Sequence, residues 1–73
     1  MDIREIRTMS NDDLFDSIID QREILFNLRF QKEAGQLEDV NLLRYAKRDL
    51  AQLLTVQRER ELAAQLAEEE ENA

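Results

Sequence analysis

The segment after Ser10 repeats apolar residues at alternating intervals of four and three positions. The repeat is made of Leu14, Ile18, Leu25 and Leu28, with Gln21 in the gap. This spacing is typical of the seam along which two α-helices pack. Ser10 can accept from a free N–H group at the helix start, so a long helix is predicted to begin there. Before it, one short helical piece is predicted, with Ile3 and Ile6 facing inward.

A second helix is predicted after Gly35, the only glycine of the chain. Glycine adopts the left-handed conformation that ends a helix, so the first helix should end near Ala34 and turn over residues 35–40. Asp39 or Asn41 can cap the second helix. Its apolar side is made of Leu43, Ala46, Leu50, Leu53, Leu54 and Gln57. So short a connection makes the two helices antiparallel neighbours, and a long hairpin is predicted.

The composition favours an all-α chain over other classes. The 73 residues contain one glycine and no proline, so the turn residues that strands and loops need are nearly absent. One hairpin domain is expected over residues 1–62. Residues 63–73 are acidic and have no stripe for a partner, so a solvated tail that frays or is disordered is predicted there.

Cysteine and histidine are both absent. Their absence removes disulfides, thiolate nucleophiles and the usual zinc ligand sets, and no enzyme, cofactor or metal site is predicted. Asp12, Asp16 and Asp20 share a helix face, but a solvated face is favoured because divalent sites gather ligands from bent loops. No stretch approaches the roughly 20 apolar residues of a membrane span, so an intracellular, soluble protein is expected.

The formal net charge of −7 argues at first against a nucleic-acid partner. Its distribution changes that picture. Residues 2–20 carry a net charge of −4 and residues 61–73 carry −5, whereas residues 21–60 carry +2. The acidity lies at the two ends, and the middle of the chain is mildly basic.

The first helix carries a second apolar stripe, made of Phe15, Ile19, Phe26 and Phe30. At about 100° per residue, Arg22 and Arg29 fall between the two stripes. A two-helix hairpin has one internal seam, so this second stripe is left for a partner. Arg29 can cover apolar surface with its stem or bind a phosphate or carboxylate with its guanidinium, and the pattern leaves both interpretations open.

One side of the second helix is basic. It carries Arg44, Lys47, Arg48 and Arg58, with the small residues Ala51 and Thr55 between them. A basic face with a low middle lets a polyanion backbone approach closely, and a solvated charged face is the simpler alternative. Without a disulfide or metal, a lone hairpin is expected to be marginally stable and to fold best when docked.

Two strings at this spacing, LFNLRFQKEAGQLED over residues 25–39 and KRDLAQLLTVQRERE over residues 47–61, resemble the L-twenty-nine family of large-ribosomal-subunit proteins from bacteria and organelles. The opener IREIRTMSNDDL, residues 3–14, is similar to the start of that family. The resemblance implies a non-catalytic hairpin on large-subunit ribosomal RNA, near the exit of the peptide tunnel. It also implies a neighbouring ribosomal protein, nascent-chain-binding factors close by, and a cytoplasmic bacterial or an organelle ribosome.

Carried over residue by residue, the resemblance implies RNA contacts at Asn27, Arg29, Gln31, Gln36, Arg44, Lys47 and Arg48. Arg58 joins this set from the basic face, and Gly35 is the predicted hinge of the hairpin. The second apolar stripe is expected to meet RNA or a protein neighbour. The chain departs from the family at Val40 and Leu42, where polar and basic residues are common. An acidic coiled-coil module that pairs as a helical dimer is the alternative.

Overall fold

The computed structural model describes residues 1–72, and all regular secondary structure in this range is helical. Helix α1 spans Ile3–Arg7, α2 spans Asn11–Glu33 and α3 spans Asn41–Asn72. Helices α2 and α3 pack against each other as the two arms of a hairpin, and α1 packs on α3. The molecule is elongated, with extents of 56 × 20 × 18 Å. The prediction of an all-α hairpin with a short N-terminal helical segment is confirmed.

Local side-chain chemistry sets both ends of α2. Ser10 Oγ accepts a hydrogen bond from the Asp13 N–H at 3.1 Å, as an N-cap does. At the other end the helix closes on Ala34, and Gly35 follows with a φ of 72°. An added Cβ at Gly35 would meet nothing within 4 Å, so the positive φ alone favours glycine there. Both predicted ends of α2 are confirmed.

Helix α3 begins with a cap from Asp39 and not from Asn41. The Asp39 carboxylate accepts from the Asn41 N–H at 2.9 Å, and its carbonyl accepts from the Leu42 N–H at 3.1 Å. Leu37 is half-buried and packs under the turn against the core. The connection is therefore short and anchored on both sides, as an antiparallel hairpin requires.

At the open end of the hairpin, opposite the turn, three helices share one core. Its buried members are Ile6, Leu14, Ile18, Leu53 and Val56. Ile6 and Leu53 have no exposed surface, and half-buried Ile3 packs against the same cluster. The predicted inward orientation of Ile3 and Ile6 is confirmed. Val56 lies outside the predicted stripe, and it is buried because α1 docks beside the seam and widens the covered side of α3.

At the turn end, two helices alone form the core. Its buried members are Leu25, Leu43 and Ala46, and Leu28 is half-buried against them. Gln21 is buried in the seam, where its Nε2 donates to the Ala46 carbonyl at 3.3 Å. The predicted seam of α2 is confirmed, and its one polar member has a hydrogen-bond partner, as a buried amide needs.

Polar contacts tie the N-terminal segment to α3. The Arg60 guanidinium donates to Asn11 Oδ1 at 2.8 Å, the Met9 carbonyl at 2.7 Å and the Arg7 carbonyl at 3.3 Å. Arg7 pairs with Glu59 at 3.0 Å. The hydrogen bond to Glu59 and the negative charge of its carboxylate raise the pKa of the Arg7 guanidinium. These contacts hold α1 and the start of α2 against the middle of α3.

The C-terminal segment differs from the predicted frayed or disordered tail. Helix α3 continues to Asn72, and every one of residues 61–72 is exposed. Alanine, leucine, glutamine and glutamate are good helix formers, and no glycine or proline interrupts the run. Ala73, the last residue of the predicted tail, lies outside the described residues. The boundary of the hairpin domain at residue 62 stays a prediction.

Within residues 1–72, no helix combines the length and the apolar composition that crossing a membrane requires.

Candidate nucleic-acid interface

Helix α3 presents its basic residues on one open side. Arg44, Lys47, Arg48 and Arg58 are exposed, as are Ala51 and Thr55 between them; these six residues are called the basic face. They share a side because α-helical residues advance by about 100°. Helix α1 packs on the side of α3 where Asp49 and Val56 lie, about 80–100° around the helix from Arg48, and Arg7 of α1 reaches Glu59 at the border of the basic face. Docking of α1 therefore leaves the basic face uncovered.

The cations of the basic face differ in their partners. Within the described chain, Arg44, Lys47 and Arg48 make no ion pair. Arg58 is paired with Glu61, Nη1 to Oε2 at 3.2 Å, with both side chains exposed. Exposed pairs of this kind contribute about 0–1 kcal/mol, so an anion can compete for Arg58 at little cost. Three cations are free for an anionic ligand, and the fourth is weakly held.

The candidate residues of α2 do not all join the basic face. Asn27, Arg29 and Gln31 are exposed on α2, and Gln36 is exposed in the turn. Asn27 and Gln31 each lie two residues from Arg29, which places them about 160° around the helix from it. Gln36 is held near Gln31, because its N–H donates to the Gln31 carbonyl at 2.8 Å. Helical spacing thus separates Asn27 and Gln31 from Arg29.

The second apolar stripe of α2 is exposed. Phe15, Ile19, Phe26 and Phe30 expose 57%, 46%, 68% and 63% of their surface; these four residues are called the apolar stripe. The prediction that the hairpin buries only one stripe is confirmed. Helical geometry places exposed acids along one border of the stripe and exposed arginines along the other. The acids are Asp12, Asp16 and Glu23, and the arginines are Arg22 and Arg29.

A shallow pocket between α2 and α3 lies at the start of the apolar stripe. Its walls include Leu14 and Phe15 from α2 and Gln57 and Ala64 from α3. The pocket is open and partly apolar, so it can receive an apolar side chain from a partner. In the described part of the chain, no three acidic side chains converge so as to hold a metal ion.

Sequence reasoning missed Arg60, although it selected the neighbouring Arg58. Two residues apart on a helix, the two arginines point about 160° apart. Arg58 therefore faces solvent with the basic face, whereas Arg60 turns to the carbonyls that precede α2. The sequence held no signal for these contacts, because the spacing along α3 does not specify which side α1 covers.

The fold and its surfaces define a class: a small all-helical hairpin protein with an open basic face and an open apolar stripe. The family model described as Ribosomal L29 protein matches residues 4–60. The chain belongs to the ribosomal L29 protein family, as the resemblance of its sequence predicted. Residues 61–73, which include the exposed end of α3, lie beyond the match.

Curated relatives agree with the family match. The chain is 50% identical over 58 residues to the large ribosomal subunit protein uL29 of Frankia alni. This aligned region covers 80% of this chain and 65% of the relative. It is 44% identical to uL29 of Saccharopolyspora erythraea, over 89% of this chain and 81% of the relative. It is 45% identical to uL29 of Maridesulfovibrio salexigens, over 88% of this chain and all of the relative. The match thus spans just under two thirds of the Frankia alni protein and most or all of the other two.

Proposed function

We propose that this chain binds large-subunit ribosomal RNA through its basic face, near the exit of the peptide tunnel. As a member of the ribosomal L29 family, the chain is a structural constituent of the large ribosomal subunit and not an enzyme. In a bacterium such a protein works on the cytoplasmic ribosome. The contact with RNA, its location at the tunnel exit and the residues that make it are the content of the proposal.

The observation that carries the proposal is the arrangement of free cations on α3. Arg44, Lys47 and Arg48 are exposed, have no ion-pair partner within residues 1–72, and lie within about 6 Å along the helix axis. Phosphate contacts from Lys and Arg supply much of the affinity for nucleic acids. Arg29 on α2 and the amides Asn27, Gln31 and Gln36 are proposed as additional contacts, with Gly35 as the hinge that places the two arms.

The apolar stripe is proposed to meet a neighbouring ribosomal protein. Exposed Asp12, Asp16 and Glu23 border the stripe, and carboxylates repel a phosphate backbone. A protein surface has no such conflict, and it can pair acids with cations while it covers the phenylalanines. Nascent-chain-binding factors at the tunnel exit are proposed as further partners of the same region.

The test compares two double variants that each remove two positive charges. Arg44→Ala with Arg48→Ala should weaken binding to purified large-subunit ribosomal RNA by about tenfold or more. The negative slope of log affinity against log salt should become shallower by about 1.5. Filter binding at several salt concentrations measures both quantities. Both changes are expected because the variant loses two contacts to phosphates, and the counterions of those phosphates are no longer released on binding.

The matched control is Arg4→Ala with Lys32→Ala, which removes two exposed cations of α1 and α2 that do not belong to the basic face. It should change affinity far less, because it alters net charge without removing a proposed contact. Equal losses in the two double variants, or an affinity that does not depend on salt, would contradict phosphate contacts by the basic face.

A helical dimer is the second candidate, because the exposed apolar stripe can pair with a second copy. Sedimentation of the purified chain with and without RNA separates the two functions. A monomer that moves with RNA supports the proposed function. A dimer that is stable at micromolar concentration and indifferent to RNA would favour the interaction module.

A further inference from the structure

We infer that the RNA met by the basic face is double-helical, and that α3 crosses its shallow minor groove. This inference rests on the proposed function and specifies the form of RNA that the same face recognises. The distribution of charge along α3, the chemistry of its middle and the position of aromatic residues support it.

The cations of the basic face form two groups with an uncharged interval between them. Arg44, Lys47 and Arg48 lie within about 6 Å along the axis, and Arg58 lies about 15 Å beyond Arg48. If a single phosphate backbone of the RNA followed α3, cations would be expected at each turn of the helix. The middle turns carry Ala51 and Thr55 instead. Two separated groups suit two phosphate backbones on either side of a groove. In A-form RNA the wide, shallow minor groove lies between such backbones.

The middle of the basic face suits the surface of that groove. Ala51 ends at Cβ, so the helix can approach closely there. The Thr55 hydroxyl donates to the Ala51 carbonyl at 2.8 Å, which commits its proton and leaves its oxygen able to accept. The minor groove of RNA displays 2′-hydroxyl groups, which can donate to such an oxygen. Thr55 is therefore placed to distinguish RNA from DNA.

The basic face lacks the groups that single-stranded RNA requires. Recognition of single strands uses aromatic side chains on which unpaired bases stack. None of the six residues of the basic face is aromatic, and the exposed Tyr45 lies outside the face, about 60° around α3 from Arg48. The phenylalanines of the apolar stripe are on α2, next to the acids that border it. The chemistry of the basic face thus favours a duplex.

The acidic end of α3 limits the RNA contact on one side. Glu61 is paired with Arg58, and the four glutamates at residues 68–71 lie on the exposed extension of the helix. These carboxylates repel phosphates, so the RNA contact ends near Arg58. A phosphate that binds Arg58 must displace Glu61, which the exposed pair allows at little cost.

Fluorescence anisotropy with the full chain tests the inference directly. The probes are an RNA duplex taken from large-subunit ribosomal RNA, one of its single strands, and the DNA duplex of the same sequence, all at equal salt. The RNA duplex should bind at least about tenfold more tightly than the single strand, because only a duplex offers two backbones across a groove. Thr55→Val should reduce the preference for the RNA duplex over the DNA duplex.

A matched pair of variants tests the close approach. Ala51→Met should weaken binding to the RNA duplex severalfold, whereas Ala63→Met, also exposed on α3 but outside the basic face, should not. Helix content from circular dichroism verifies that both variants fold. Equal effects of the two variants would overturn the inference.

The inference and the proposed function fail in different ways. The single strand could bind as tightly as the duplex or more tightly, while the Arg44→Ala and Arg48→Ala double variant still binds ribosomal RNA more weakly. That result would overturn the inference of a duplex and keep the proposed function. Failure of both the duplex and purified ribosomal RNA to bind would overturn the proposed function itself.

Discussion

The two ends of the hairpin are built differently, although the same two helices form both. At the open end, α1 adds a third layer, and Ile6 and Leu53 have no exposed surface. At the turn end, two helices pack alone, and Leu25, Leu43 and Ala46 keep 6%, 7% and 4% of their surface exposed. A two-helix seam always leaves its edges open to solvent. The five residues of α1 are enough to close one edge of the open end.

Polar contacts follow the same division. The three hydrogen bonds of Arg60 and the pair between Arg7 and Glu59 lie at the open end. At the turn end the seam holds the hydrogen bond from Gln21 to Ala46. The free cations Arg44 and Lys47 lie towards the turn, whereas Arg58 of the basic face lies beside the open-end core. Only the part of the basic face near the turn is therefore separate from the region that stabilises the fold.

The largest expected effect is at the centre of the open-end core. Leu53→Ala should lower the free energy of unfolding by about 3–4 kcal/mol, because it opens a cavity among fully buried neighbours. Leu43→Ala at the turn end should cost about 2 kcal/mol, since its surroundings are partly exposed and can relax. Urea titration followed by circular dichroism measures both, with trimethylamine N-oxide added to raise the stability of the variants. A larger loss at Leu43 would contradict the division between the ends.

A smaller effect is expected at Arg60. Arg60→Ala should cost about 1–3 kcal/mol, because the Met9 carbonyl and the Asn11 side chain lose a charged donor. Arg58→Ala removes the same side chain from an exposed site and should change the free energy of unfolding by about 0.5 kcal/mol or less. The same titrations measure both variants. Comparable losses would mean that the contacts of Arg60 do not hold the open end together.

The smallest expected effect is at the turn. Gly35→Ala should cost about 1 kcal/mol, because the φ of 72° is strained for a residue with a Cβ. Gly35→Asn should cost less, since asparagine tolerates the left-handed conformation better. Thermal unfolding of the two variants beside the parent chain measures the difference. An alanine variant as stable as the parent would show that the turn can relax away from positive φ.

Much of the fold could be read from local pattern. The four-and-three spacing located the seam of α2, Ser10 and Gly35 marked its ends, and helical projection left the apolar stripe outside. Of the candidate site, the sequence predicted that the cations of α3 share a side, because the positions of residues around one helix follow from their spacing. The same spacing places Asn27 and Gln31 on the polar side of α2 and Arg29 between the two apolar stripes, whereas the grouping of all three as RNA contacts came from the resemblance to a family.

The sequence by itself determined the class, the family, the ends of α2 and the shared side of the cations on α3, since periodicity, capping and turn chemistry act over a few residues. The tertiary structure alone decided where α1 docks, and with it the burial of Val56 and the contacts of Arg60. Those contacts join residues about fifty positions apart, and the spacing along each helix does not specify which side a short third helix will cover. The docked position of α1 depends on burying Ile6 against Leu53 and Val56, which is a property of the packed molecule.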